Sequence, residues 1–138
     1  MSNKDYWWNT FVAVPFKEHG RDINGCDCWG LVRLVYKEQL DIWLPDRLDY
    51  ENTKAFDQTS ALVSTYKASG HWQEIPKEQR QDYDVVVLKI NSLPCHVGVV
   101  CDGGKAFLHV IEGSNSVIDR LNGLRWSGRI DSFWRFQA

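Results

Sequence analysis

Three side chains in this sequence have the types and the setting that nucleophilic acyl transfer requires: Cys28, His96 and His109. Cys28 directly follows Asp27, a favourable helix N-cap residue, and an Asn-Gly turn signal stands at residues 24–25. The start of a helix favours the thiolate, because the first backbone N–H groups are directed at the sulfur. We therefore predict that Cys28 is an acidified nucleophile. We also predict that Asp27 caps the helix and that the backbone N–H of Cys28 helps to bind an oxyanion.

The two histidines fall on neighbouring strands of a predicted β-hairpin. His96 opens the strand predicted for residues 96–101, an Asp-Gly-Gly turn follows at 102–104, and His109 lies within the strand predicted for 105–111. One imidazole can accept the thiol proton, and the other can hold the first in the right tautomer and orientation. A single histidine in an apolar strand is more often a buried structural residue, so the hypothesis depends on the three residues as a set.

The elements predicted to position these residues are helices in the first half of the chain and strands in the second half. Apolar residues recur three and four apart from Cys28 to Val35, which predicts a helix from residue 28 to about residue 40, and residues 53–69 form a second helix candidate. Strands are predicted at residues 84–90, 96–101, 105–111, 116–121 and 129–136. Short strands with tight turns favour an antiparallel sheet, and a helical half before a strand half is typical of an α+β fold. Since no repeat or linker divides it, we predict a single domain over residues 1–138.

Composition and charge limit the partners of the chain. The sequence has 138 residues and a net charge of −2, so it lacks the basic field that nucleic-acid binding requires. Its apolar runs are shorter than a membrane span, and residues 1–20 lack the basic start and continuous apolar stretch of a secretory signal. We therefore expect synthesis in the cytoplasm, no membrane span and no nucleic-acid partner.

A zinc-binding module is the competing interpretation of the cysteines. Cys26, Cys28, Cys95 and Cys101 are possible zinc ligands, as are the two histidines. Structural zinc sites usually space paired ligands two to four residues apart, whereas Cys26 and Cys28 enclose one residue. Cys95 and His96 are adjacent and would face opposite sides of a strand. We therefore predict no metal site, and the proposed chemistry needs no organic cofactor. Because no secretory signal is visible and Cys26 and Cys28 are only two positions apart, we expect reduced thiols.

The same residues resemble a known family. Residues 25–32 read Gly-Cys-Asp-Cys-Trp-Gly-Leu-Val and resemble the nucleophile motif Gly-x-Asp-Cys-Ser-Gly-Leu-Val of the NlpC-type cell-wall cysteine peptidases. The His-Val-Gly-Val-Val run at 96–100 is similar to the histidine strand of that family, and Phe-Leu-His at 107–109 to its later strand. The resemblance implies a papain-like fold in which Cys28, His96 and His109 are catalytic. It also implies hydrolysis of an amide bond in the peptidoglycan stem peptide, typically between D-glutamate and diaminopimelate.

Two departures from the family pattern concern the substrate groove. Trp29 replaces the usual serine after the nucleophile, and Phe16 stands where a tyrosine often follows proline, so we expect both aromatic rings to line the groove. Trp29 and residues 114–121 look most like the phage tail-tip and prophage members. That likeness implies association with tail-tip proteins in the virion and action at the bacterial cell wall. The alternative is a structural tail-assembly protein that keeps the peptidase fold and works mainly by binding.

Overall fold

The computed structural model describes residues 3–46 and 50–137, and within them helices pack on a six-stranded antiparallel sheet. The predicted α+β fold is confirmed; of its predicted span 1–138, residues 1–2, 47–49 and 138 lie outside the described residues. The helices are α1 (Cys28–Val35) and α2 (Phe56–Lys67). The strands are β1 (Arg21–Asp22), β2 (Gly25–Cys26), β3 (Trp72–Ile75), β4 (Val85–Ile90), β5 (Leu93–Cys101), β6 (Ala106–His109), β7 (Val117–Arg120) and β8 (Ile130–Phe136). The order across the sheet is β3-β8-β4-β5-β6-β7, and both helices pack against β5.

Helix α1 begins where the capping signal predicts. The Asp27 side chain accepts a hydrogen bond from the backbone N–H of Gly30 at 2.9 Å, so Cys28 is the first helical residue. The apolar face of α1 is buried in the core, and the chain continues as a π-helical turn over Tyr36–Leu40. The predicted end near residue 40 is confirmed, because Asp41 adopts a left-handed conformation with φ of 55°.

The hairpin that carries the histidines also forms as predicted. Strands β5 and β6 pair antiparallel, and Asp102, Gly103 and Gly104 turn the chain with φ values of 56°, 66° and 88°. Gly98 in β5 lies against β6, where an added Cβ would come within 2.9 Å of the Leu108 carbonyl oxygen. A glycine at this position therefore lets the two histidine-bearing strands approach closely.

Several elements differ from the sequence-based expectation. Strand β5 begins at Leu93 rather than residue 96, and β6 ends at His109 rather than residue 111. The edge strand β3 and the 3₁₀ helix Asn3–Phe11 were not predicted. Neither has a clear hydrophobic pattern in the sequence. Two of the four β3 residues are exposed, and the 3₁₀ helix has no regular amphipathic period. In the described part of the chain, no helix is both long enough and apolar enough to span a bilayer.

Candidate active site

Cys28 and His96 face a common cavity of about 250 Å³ between the start of α1 and strand β5. The Cys28 side chain is half-buried, and His96 is buried with 4% of its surface exposed. Phe16 is half-buried and lines the same cavity. Two residues that are 68 positions apart in the sequence therefore meet at one opening, with one aromatic ring beside them.

A chain of hydrogen bonds runs from His96 away from this cavity. His96 Nε2 lies 2.8 Å from His109 Nδ1, and His109 Nε2 lies 2.7 Å from Asp119 Oδ2. An ionised carboxylate can only accept, so it favours a proton on Nε2 of His109 and leaves Nδ1 of that ring as the acceptor. The His96 proton then sits on Nε2. Nδ1 of His96 is left without a proton, which is the state a general base requires.

Trp126 packs beside this series of hydrogen bonds. Its ring stacks on His96 with a centroid separation of 5.7 Å, and its Nε1 donates to Asp119 Oδ2 at 3.1 Å. Since Trp126 is 2% exposed, it both shields the imidazoles from water and fixes the carboxylate. Asp119 and Trp126 were absent from the sequence-predicted site. The contribution of Asp119 depends on the β6–β7 register, in which Asp119 pairs with Phe107 and so lies on the same face of the sheet as His109.

The loop before Cys28 is held by a second polar network centred on Asp27, which is fully buried. Besides capping α1, Asp27 accepts from Arg21 Nη1 at 2.8 Å and from the backbone N–H of His19 at 3.0 Å. The Tyr50 hydroxyl also donates to Asp27. Burial and the bond to Asp27 raise the pKa of Tyr50, so its hydroxyl stays a donor. The predicted capping role of Asp27 is confirmed, and the ion pair with Arg21 offsets the cost of burying its charge.

The ionisation of Cys28 differs from the sequence-based expectation. Burial raises the pKa of the Cys28 thiol to about 12, and the adjacent Asp27 carboxylate adds to this. The backbone N–H of Val97 in β5 lowers the pKa of Cys28, and so does that of Trp29 at the start of α1, the latter as the helix start predicts. Burial outweighs them, so the prediction of an acidified thiol is wrong.

The imidazole of His96 is shifted in the complementary direction. Burial lowers the pKa of His96 well below its usual value, and the neighbouring His109 and Arg125 lower it further. Burial also lowers the pKa of His109, although its bond with Asp119 opposes this. At neutral pH the resting pair is therefore a neutral thiol beside a neutral imidazole. Nucleophilic attack by Cys28 would therefore require a proton to pass to His96 during the attack itself.

Trp29 occupies the other side of Cys28. It lines a smaller, apolar cavity of about 70 Å³, which Cys28 also borders and His96 does not. The Trp29 Nε1 donates to the Pro45 carbonyl at 3.1 Å, and its ring centroid lies 4.7 Å from that of Tyr66. Of the two rings predicted for the groove, Phe16 lines the cavity that contains His96, and Trp29 lines the second cavity, which Cys28 also borders.

All four cysteines are free thiols. Cys95 borders both cavities beside Cys28, whereas Cys26 and Cys101 are completely buried in the core. Among residues 3–46 and 50–137, no three His, Cys, Asp or Glu side chains converge as metal ligands would. Cys95 therefore lies in the same surroundings as Cys28, the predicted nucleophile. Nothing in the local sequence around Cys95 predicts this.

A cysteine at a helix start, across a cavity from a histidine on an antiparallel sheet, defines the papain-like class of α+β proteins. Within that class this chain belongs to the NlpC/P60 family, which its sequence matches over residues 13–135.

Known proteins resemble the chain in sequence and in fold. It is 24% identical over 117 residues to the murein DD-endopeptidase MepS/murein LD-carboxypeptidase of Escherichia coli K12, covering 85% of this chain and 53% of that protein. The chain thus spans about half the length of this curated relative. The NlpC/p60 domain of peptidoglycan hydrolase SagA superposes with a TM-score of 0.63 at 14% identity, over 99% of this chain and 100% of that one. An NlpC/P60 family protein of Bacillus cereus gives a TM-score of 0.69 at 17% identity, over 100% and 41% of the two chains. These structures share the fold.

Proposed function

We propose that this protein is a cysteine peptidase that hydrolyses an amide bond of the peptidoglycan stem peptide, between D-glutamate and diaminopimelate. The observation that carries the proposal is the hydrogen-bonded chain from Asp119 through His109 to His96, which ends at the cavity containing Cys28. Family membership and a murein endopeptidase among the sequence relatives support the substrate class. The choice of bond follows the resemblance of the nucleophile and histidine motifs.

The proposed reaction is acyl transfer through a thioester. Cys28 Sγ attacks the amide carbonyl while its proton passes to Nδ1 of His96. Backbone N–H groups at the start of α1, beginning with that of Cys28, stabilise the negative charge on the carbonyl oxygen. His96 returns the proton to the leaving amine as the C–N bond breaks. A water molecule deprotonated by His96 then hydrolyses the thioester, which regenerates the thiol and releases a carboxylic acid.

The test is digestion of purified peptidoglycan with wild type and Cys28→Ala, followed by mass spectrometry of the released muropeptides. We expect wild type to release fragments with a new amine on diaminopimelate, and Cys28→Ala to release none. The matched control is Cys101→Ala, because Cys101 is a buried cysteine at the far end of β5 that borders neither cavity. Cleavage by a folded Cys28→Ala protein would refute the assignment of the nucleophile.

We further propose that the peptidase is carried to the cell wall in a phage tail tip, where tail-tip proteins are its partners. Trp29 after the nucleophile and residues 114–121 support this through their likeness to the tail-tip and prophage members. In phage assembled with Cys28→Ala, we expect complete particles that contain the protein and do not cleave the wall. Failed assembly with a folded variant would instead favour the structural tail-assembly role.

A further inference from the structure

We propose that Arg125 and Arg129 form a carboxylate-binding site beside Cys28 and His96, which selects stem peptides with a free carboxylate next to the bond that is cut. This site deepens the proposed function and rests on it for the identity of the ligand. Both arginines are exposed, and both line the 250 Å³ cavity that Cys28 and His96 share.

The two guanidinium groups are held in place by one aromatic ring. The Cζ atoms of Arg125 and Arg129 lie 5.2 Å and 5.5 Å from the centroid of the Trp126 ring. Trp126 is itself buried and stacked on His96, so the positions of both cations are tied to the position of the proposed base. A cation–π contact restricts the side chain without neutralising its charge, so the groups remain available to an anion.

The other charged side chains of the cavity cancel each other. Lys54 Nζ lies 3.3 Å from Glu112 Oε2, and both residues line the cavity. Within the described part of the chain, neither Arg125 nor Arg129 forms an ion pair. Arg125 and Arg129 therefore give the cavity two positive charges that pair with no carboxylate among the described residues.

The chemistry of arginine favours a carboxylate as the ligand. A guanidinium group presents planar paired N–H donors that match the two oxygens of a carboxylate. D-Glutamate carries a free carboxylate besides the carbonyl of the bond that is cut, and diaminopimelate, which supplies the amine of that bond, also carries a free carboxylate. A peptide placed with its scissile carbonyl at Cys28 can therefore bring such a group to the arginines, whereas a peptide with a carboxamide there would lose the charge.

The test measures binding, so that it does not depend on turnover. In the Cys28→Ala background, isothermal titration compares two stem tetrapeptides that differ only in having free or amidated carboxylates. We expect the free-acid peptide to bind about tenfold more tightly at low salt, since two charge-assisted contacts are gained at a partly exposed site. Arg125→Gln and Arg129→Gln should each reduce this preference, and the double variant should abolish it while changing the Kd of the amidated peptide less than twofold.

The matched control is Arg120→Gln in the same background. Arg120 is exposed and lies 3.8 Å from Asp102 at the hairpin turn, so its loss should leave the preference unchanged. A preference that survives in the double variant, equal weakening of both peptides, or no binding of the free-acid peptide would each overturn the carboxylate site. The muropeptide digestion with intact Cys28 reports separately on the proposed function, so failure of one can be told from failure of the other.

Discussion

Asp119 ends the hydrogen-bonded chain that starts at the cavity, and Asp119→Asn removes its charge while keeping its shape. The carboxylate accepts from His109 Nε2 at 2.7 Å and from Trp126 Nε1 at 3.1 Å. Both groups meet the same oxygen, Oδ2, and the Trp126 N–H can only donate, so the amide oxygen of an asparagine keeps this place and its NH₂ group points away. The two charge-assisted hydrogen bonds then become neutral ones. In the proposed reaction, the asparagine also no longer stabilises the positive charge that the imidazoles gain when His96 accepts the proton of Cys28.

The size of the effect follows from the kind of bond that is lost. A hydrogen bond to a charged group contributes about 1.5–3 kcal/mol, and about 1.4 kcal/mol corresponds to a tenfold change in rate. We therefore expect kcat to fall roughly 10- to 150-fold. The cost to folding should be smaller, about 1 kcal/mol, because the Asp119 side chain is 33% exposed and water can replace part of the lost contact.

The assay is the initial rate of cleavage of a defined stem peptide by wild type, Asp119→Asn and the control Asp102→Asn. Asp102 lies in the turn between β5 and β6, does not border the cavity, and has a left-handed backbone that asparagine also tolerates. We expect the control to keep wild-type kcat, and KM to change less than twofold in both variants. A folded Asp119→Asn protein with kcat within threefold of wild type would refute the idea that the charge of this carboxylate supports His96 as the base.

Two further predictions concern pH and backbone packing. Burial lowers the folded-state pKa of His96 below its usual value of 6.5, so below about pH 6.5 the unfolded chain binds more protons than the folded one. The free energy of unfolding should thus be highest above pH 7 and fall as the pH drops, and urea titrations of His96→Gln should show a weaker fall. Gly30→Ala should strongly reduce both stability and cleavage, because its Cβ would lie 2.0 Å from the Gly20 carbonyl oxygen and force the loop before Cys28 to move. Thermal melts and cleavage rates measure both losses.

A specific result would contradict each of these two predictions. An equal slope of stability against pH in wild type and His96→Gln would show that the buried imidazole does not resist protonation. Gly128→Ala is the control for the glycine, since no atom lies within 4 Å of the Cβ it would gain. Wild-type melting and activity in Gly30→Ala would show that the nucleophile loop can move away from α1 at little cost.

Features with local signals could be predicted from the sequence. The start of α1 depends on Asp27 capping the N–H of a residue three positions along, and the turn at 102–104 depends on two adjacent glycines. Both signals lie within a few residues of the structure they determine. The nearness of the two histidines follows from that turn, because a hairpin brings residues on its two strands together.

Features that depend on distant packing could not be predicted in this way. Asp119 reaches His109 through the register of β6 and β7, and no local pattern sets that register. Tyr50 donates to Asp27, which lies 23 positions away in the sequence. The error in the Cys28 pKa has the same origin. The N–H groups at a helix start can be inferred from the sequence, but the depth of burial that outweighs them can not.

In the proposed reaction, the shifted pKa values of Cys28 and His96 favour a proton transfer that occurs only when substrate is bound. Because burial disfavours charge on both groups, forming a thiolate–imidazolium pair in the resting cavity is costly. Two changes on substrate binding reduce this cost. In the proposed reaction, the attack forms a tetrahedral adduct, and the negative charge then lies on an oxygen facing backbone N–H groups instead of on sulfur. A substrate carboxylate at Arg125 would offset the positive charge that helps to lower the pKa of His96, which strengthens His96 as a base. Because a neutral thiol is a poor nucleophile, the proposed reaction predicts attack mainly on ligands that fill the cavity.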